Sequence, residues 1–209
     1  MSQISLSQLL EGWVYWVFQP RSGSDHPSDT GGGRTEQLND GSDIWYLSGT
    51  WGNAGPTPGR VNRNIAVREG TSIFIVLASS HATPEELGNP NATDQDLIRR
   101  ARDVHALWDR RNLRIDGSVQ ATQTVETPHV LIPYISDGSY YSGLAKNGLV
   151  RMATVAEVFL LNSARLGQPG QQHTIELDAH SRPGVPGRGE PNEPDYAVDV
   201  SYNIRVQRR

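Results

Sequence analysis

The chain contains no cysteine. That absence excludes disulfides, thiolate metal sites and a cysteine nucleophile, and it leaves the redox compartment open, because a cysteine-free protein suits the cytosol and the exterior equally. Long apolar runs are also missing: no stretch approaches the roughly eighteen consecutive apolar residues that a spanning helix needs. The amino terminus lacks the basic start, apolar centre and small-residue cleavage site of a signal peptide, so the expectation is a chain without a membrane span, with the cytoplasm slightly favoured. Blocks of like charge are absent too. The 19 basic and 23 acidic residues are interspersed and leave a net charge of -4, which makes nucleic acid and anionic membranes poor partners.

Catalytic signatures are equally scarce. None of the six histidines forms His-x-His or His-Glu-x-x-His, so a metal site would have to be assembled from distant strands, and neither metal nor cofactor is assigned. Ser79-Ser80-His81 invites a hydrolase reading but lacks the Gly-x-Ser-x-Gly elbow. The glycines at 31 to 33 are followed by no Lys-Ser/Thr pair and no helix, which excludes a phosphate loop. Asp29-Thr30-Gly31 has the triplet of an aspartic protease without the second copy that such an enzyme needs.

What is present is the composition of a folded, turn-rich protein: 209 residues, 36% apolar, with 21 glycines and five tryptophans. A single domain over 1–209 is expected at this length. Ser5 to Phe18 spaces Leu6, Leu9, Leu10, Trp13 and Val17 as a helix does, with Ser5 and Gln8 in the capping-box relation, although propensity alone would favour a strand for WVYWVF. A long polar loop follows, and Ile44 to Gly49 then reads as a strand with Trp45 and Leu47 on one face. Asn64 to Val67 is a short strand, Glu69-Gly70 a turn, and Ser72 to Ala78 a run apolar on both faces, as in a covered central strand. Thr83-Pro84-Glu85-Glu86 carries the cap, first-turn Pro and acidic residues of a helix start, so a helical turn is expected there.

Thr93 to Arg111 reads as the main helix, with Leu97, Ala101, Val104 and Trp108 on one stripe and His105 on its flank. Strands follow at 113–115, 119–125 and 129–135, where Pro128 and Pro133 suggest an edge. Val155 to Leu161 is a second two-sided strand, Gln172 to Leu177 another, and Ala179 to Pro194 an exposed excursion that includes His180. Tyr196 to Gln207 alternates strictly, as a half-buried antiparallel strand does. The fold expected is mainly β, a two-sheet antiparallel sandwich of jelly-roll or immunoglobulin-like kind, with one inserted amphipathic helix and a short N-terminal helix.

The order of landmarks is WVYWVF, HPSDTGG, Gln37, IWYLSGT, RNIAVREGTSIFIVLAS, Asp116-Gly117, GQQHTIEL and YAVDVSYNIRV. In this order the chain resembles a family of uncharacterised, mostly exported bacterial β-sandwich proteins. Their members run W-W-x-W, H/N-P-x-x-D-x-T-G, V-W-F-L-x-G-T, R-x-C-x-V-P-x-G-K-x-L-F-F-P, G-x-H-T-I and D-V-T-Y-x-I-x-V. Family members carry a cysteine shortly after D-x-T-G and another before V-P-x-G, where this chain has Arg34 and Ile65. The V-P-x-G-K stretch reads Val67-Arg68-Glu69-Gly70-Thr71, without the Pro and Lys. The resemblance implies a fold and no established activity.

Two functional readings follow. One is a non-catalytic β-sandwich that binds a small molecule or glycan, or assembles with itself as a homo-oligomer, through loops 25–60 and 136–148. Gln37, Trp45, Trp51, Tyr140 and Tyr141 in those loops, together with His81 after the central apolar run, are the candidate contacts, since aromatic faces bury area at little entropic cost. The plainer reading of Trp13 and Trp45 is core. The other is an acid/base or metal-assisted enzyme with His26 and Asp29 as catalytic groups in a cleft with Gln37 and Trp45. Asp25, Asp29, Glu36, Asp40 and Asp43 share that polar loop and are also the residues with which loops bond their own backbone.

Overall fold

The structure is a computed structural model; it describes residues 4–18, 43–49, 61–133, 149–181 and 197–208. In chain order the elements are α1 (Leu6–Phe18), β1 (Ile44–Leu47), β2 (Val61–Arg68), β3 (Ser72–Ala82), α2 (Asp94–His105), β4 (Trp108–Ile115), β5 (Ser118–Gln120), β6 (Gln123–Pro133), β7 (Leu149–Leu161), α3 (Ser163–Leu166), β8 (Gln172–Ser181) and β9 (Ala197–Gln207). The described strands form a four-stranded sheet, β1-β3-β7-β6, and a five-stranded sheet, β2-β9-β8-β4-β5. The protein is thus a two-sheet β-sandwich with an N-terminal and an inserted helix. Both sheets are mixed, because β1 pairs with β3 and β2 with β9 in parallel.

Side-chain alternation builds three packed layers. Ile73, Ile75 and Leu77 of β3 meet Leu113, Ile175, Leu177, Val200 and Tyr202 in the core between the sheets. Phe74 and Val76, on the opposite face of β3, pack under α1 with Leu10, Val14 and Val17. Both faces of β3 are therefore buried, as its unbroken apolar run predicts. The helical spacing of α1 prevails over the strand propensity of WVYWVF, because a helix stacks its Leu/Val/Trp side on the outer face of the four-stranded sheet. Ser5 and Gln8 close the expected box: Gln8 Oε1 accepts from the Ser5 N–H at 2.9 Å, and Ser5 Oγ from the Gln8 N–H at 3.2 Å.

The inserted helix is shorter than its apolar stripe predicts. Thr93 and Asp96 cap its start reciprocally, and α2 ends at His105. The Leu107 N–H then bonds Val104 O at 3.1 Å in a tighter closing turn, and Trp108 to Arg111, expected as helix, open β4 instead. The Leu97/Ala101 stripe packs on Ala82, Ala153 and Val155. Ala153 and Val155 alternate along β7 with the same face that carries Phe159 and Leu161 into the core, so α2 continues the second sheet's layer over one end of the first.

Thr83 and Glu86 form the hydrogen bonds of a capping box, at 3.1 and 3.3 Å, and the expected turn follows, with the Leu87 N–H bonding Thr83 O at 3.3 Å and Gly88 at φ +62°. Two other expectations change. The segment around Pro128 is one strand, β6, whose register shifts between Thr127 and Val130; β6 is an edge strand, as its prolines predict. The start of the expected excursion, Ala179 to Ser181 with His180, belongs to β8.

Candidate functional site

The register aligns the strand ends at one end of the sandwich. Ala82 at the end of β3 pairs with Ala153 of β7, while Pro133 and Leu149 extend beyond them in the same direction. The five-stranded sheet is oriented by Trp108, whose Nε1 donates to Ser80 Oγ at 3.1 Å; Trp108 also pairs with Ser181, the last residue of β8. Ala197 opens β9 opposite His180, and Val61 opens β2 opposite Val200. Gly49, just after β1, lies so close to β9 that a Cβ there would stand 2.7 Å from Val198 Cγ1. The strands flanking residues 50–60, 134–148 and 182–196 thus begin or end at one end, which we call the loop end. At the same end α1 terminates at Phe18, whose ring meets His81 edge-on at 5.0 Å.

His81 is the predicted site residue with the most defined surroundings. It follows Ser79 on one face of β3 and faces Thr154 across the pair with β7. Its Nε2 lies 3.2 Å from Ser79 Oγ, its Nδ1 2.9 Å from Thr154 Oγ1, and its ring stacks on Trp13 at 6.4 Å between centroids. Burial, together with the nearby His105, holds its pKa down to about 3. The ring is therefore neutral near pH 7, and one N–H with one lone pair serves two hydroxyls in full. Ser79, His81 and Thr154 form a hydroxyl–imidazole–hydroxyl set, but a base this weak does not activate Ser79 at neutral pH.

A second polar cluster lies at the seam between α2, β4 and β7. Glu157 Oε1 accepts from Thr124 Oγ1 at 2.6 Å and Arg111 Nη1 at 2.9 Å, and Oε2 accepts from Thr122 Oγ1 at 2.8 Å. His105 Nε2 stands 3.7 Å from Oε1, an ion-pair rather than hydrogen-bonding distance, with both side chains under a tenth exposed. His105, the two threonine hydroxyls and Arg111 hold the Glu157 carboxyl down to about 2 against the upward push of burial. The carboxylate stays charged and saturated, the condition of a structural ion pair rather than of a general acid. His105, expected on a helix flank, is buried here, and its Nδ1 has no hydrogen-bond partner among the described residues.

The third cluster is beside Gly49. Arg63 points inward from β2 with Ile65 and Val67; its Nη1 donates to the Tyr202 hydroxyl at 2.5 Å and to the Ser48 carbonyl at 3.3 Å. Tyr202 in turn donates to the same carbonyl at 2.5 Å, and burial pushes its phenol above the usual range. These bonds tie the end of β1 to β2 and β9.

Of the residues named from sequence, His26, Asp29, Gln37, Trp51, Tyr140 and Tyr141 lie outside the described residues. Trp45 is buried in the core between the sheets, the plainer of its two readings, and its Nε1 has no hydrogen-bond partner among the described residues. His81 and Trp45 are not brought together: their side chains belong to opposite faces of the four-stranded sheet. Sequence reasoning missed Glu157, Arg111 and Arg63, and two of them leave a trace. Glu157 is the one acid in the apolar run 152–161, and Arg63 occupies an inward position of an alternating strand.

Among the described residues no group of three or more His, Asp or Glu side chains is placed to hold a metal ion, and no helix is long and apolar enough to cross a membrane. No protein-family model matches the chain, and no curated protein or solved structure matches it.

Proposed function

We propose that this protein is a non-catalytic β-sandwich module that binds through its loop end, with loops 25–60 and 136–148 contacting a small molecule or glycan or a second copy of the chain. The observation that supports this most is the common end at which the strands flanking residues 50–60 and 134–148 begin and finish. Loops gathered at one end of a rigid sandwich are where such folds carry variable binding surfaces. The described titratable side chains with the most altered pKa values are engaged within the scaffold, which argues against using them in catalysis: Glu157 is saturated and His81 neutral. Trp51, Tyr140, Tyr141 and Gln37 supply aromatic faces and an amide for recognition. Membership in the exported bacterial family is proposed alongside, on the landmarks quoted above.

A thermal-shift panel of glycans and calcium salts, with light scattering across protein concentration, tests the reading. A raised melting temperature that is lost in Trp51→Ala or in Tyr140→Ala/Tyr141→Ala supports the binding surface, as does concentration-dependent dimerisation lost in the same variants. The proposal fails if no compound raises the melting temperature and the protein stays monomeric at high concentration. It also fails if substrate turnover appears that is abolished by His26→Ala and Asp29→Ala, which would favour the acid/base reading instead.

A further inference from the structure

The end of the sandwich opposite the loop end is closed by a histidine. His173 alternates along β8 with Ile175, Leu177 and Ala179, so its ring points inward beneath the core. Its Nδ1 lies 2.8 Å from Asp116 Oδ2 in the β4–β5 turn, and its Nε2 lies 3.0 Å from the carbonyl oxygen of Leu166, the last residue of α3. Both partners accept. A carbonyl has no hydrogen to give, and the Asp116 carboxyl is kept ionised: partial burial pushes it upward, but His173, the Thr174 amide and Arg165 together hold it below the usual carboxylate range.

A neutral imidazole has one N–H and serves one of these two acceptors; an imidazolium has two and serves both. We infer that His173 is a protonation-dependent latch, tying α3 to the β4–β5 hairpin through two hydrogen bonds when doubly protonated and releasing one of them when a ring proton leaves. The hairpin side of the latch is tightly built. Asp116 takes φ +50°, its Oδ1 accepts from the Thr174 N–H, and its own N–H bonds Thr174 O, each at 2.9 Å. On the helix side, Arg165 faces Asp116 and donates to Gln120 Oε1 on β5 at 3.3 Å. β9 presents apolar Ile204 opposite the ring; among the described residues Asp116 is the charged group that the ring contacts, and Arg165 acts on that carboxylate. The hairpin's outer strand, β5, has three residues at the sheet edge. Loss of the latch therefore loosens a short edge element that pairs on one side only, with β4, as local opening favours.

The test uses the full chain. Long-range proton–nitrogen spectra of the His173 ring are recorded across pH, together with hydrogen-exchange protection factors at Ser118 to Gln120 and Thr174, in the wild type, His173→Gln and Asp116→Asn. The expected result is an imidazolium with both nitrogens protonated on the acid side, and a several-fold drop in β5 protection over the pH range where one ring proton is lost. His173→Gln, with a single amide that cannot donate in both directions, should show lower protection without that pH step. Asp116→Asn, which keeps Oδ1 for the Thr174 amide, should weaken the step. A ring that is neutral on the acid side, or a β5 pH profile unchanged in both variants, overturns the inference.

Discussion

At the scale of single residues, Glu157 and His81 carry the largest downward shifts among the described titratable groups. Glu157 is held down to about 2 by His105, its threonine donors and Arg111, so its folded value lies below its unfolded one. The stability it contributes is present above the unfolded carboxyl value of 4.5 and is lost as pH falls from 4.5 to about 2. Arg111 is partly exposed and screened, so Glu157→Gln should cost about 2 kcal/mol at pH 7 and almost nothing near pH 2, read from denaturant unfolding at both. His81 is also lowered, from 6.5 to about 3; because the folded state prefers the neutral ring, its contribution is complete above 6.5 and declines as pH falls toward 3. Between 6.5 and 4.5 His81 acts before Glu157 begins to protonate. His81→Gln should flatten the slope of unfolding free energy between pH 6.5 and 4.5, reduce it between 4.5 and about 3, where both groups contribute, and leave only the part from Glu157 below that. The two residues differed in legibility. His81 stood out as a histidine ending an apolar strand, whereas the importance of Glu157 depends on Arg111, Thr122 and Thr124, which only pairing brings to it.

At the scale of elements, the contrast between the two ends of α2 explains what could be read and what could not. The cap at Thr93 is local chemistry: a hydroxyl and a carboxylate three residues apart answer one another's backbone N–H groups, at 3.2 and 3.0 Å, and sequence displays it. The end at His105 is tertiary. Trp108 continues the helical stripe in sequence, yet it opens β4, pairs with Ser181 of β8 and places its indole in the core, bonded to Ser80. Trp108→Phe should keep most of that packing and lose about 1 kcal/mol with the Ser80 bond, while Trp108→Ala should lose about 3–5 kcal/mol through the cavity; both are measured by denaturant unfolding. Close packing of strands makes a similar point at β1 and β9. Gly49→Ala should destabilise by about 1–3 kcal/mol through its contact with Val198, and Val198→Ala in the same chain should relieve part of that strain. Pro128 marked an edge correctly, but the register shift that keeps β6 continuous past it follows from pairing with β7 and has no sequence signal of its own.

At the scale of the whole molecule, alternation and two-sided runs were enough for a two-sheet sandwich with two helices. Ser72 to Ala78 and Val155 to Leu161 became the central strands β3 and β7, and Ala197–Gln207 alternates as expected. Strand order was not legible. Alternation tells which face a side chain occupies but not which strand lies beside it, so the parallel neighbours β1–β3 and β2–β9 emerge only in three dimensions. The same limit applies to the ends of the sandwich. One end collects the strand termini that flank residues 50–60, 134–148 and 182–196, and the other is tied down by Asp116, His173 and Leu166, which gives the molecule a loop end and a closed end. Hydrogen exchange, recorded with and without the compound that most raises the melting temperature and at low and high protein concentration, tests that division directly. New protection is expected at Gly49, Val61, Leu149 and Ser181, with none at Asp116, Gly117 and Gly170. Protection confined to the closed end or to the outer face of the five-stranded sheet, or no change under any condition, would contradict it.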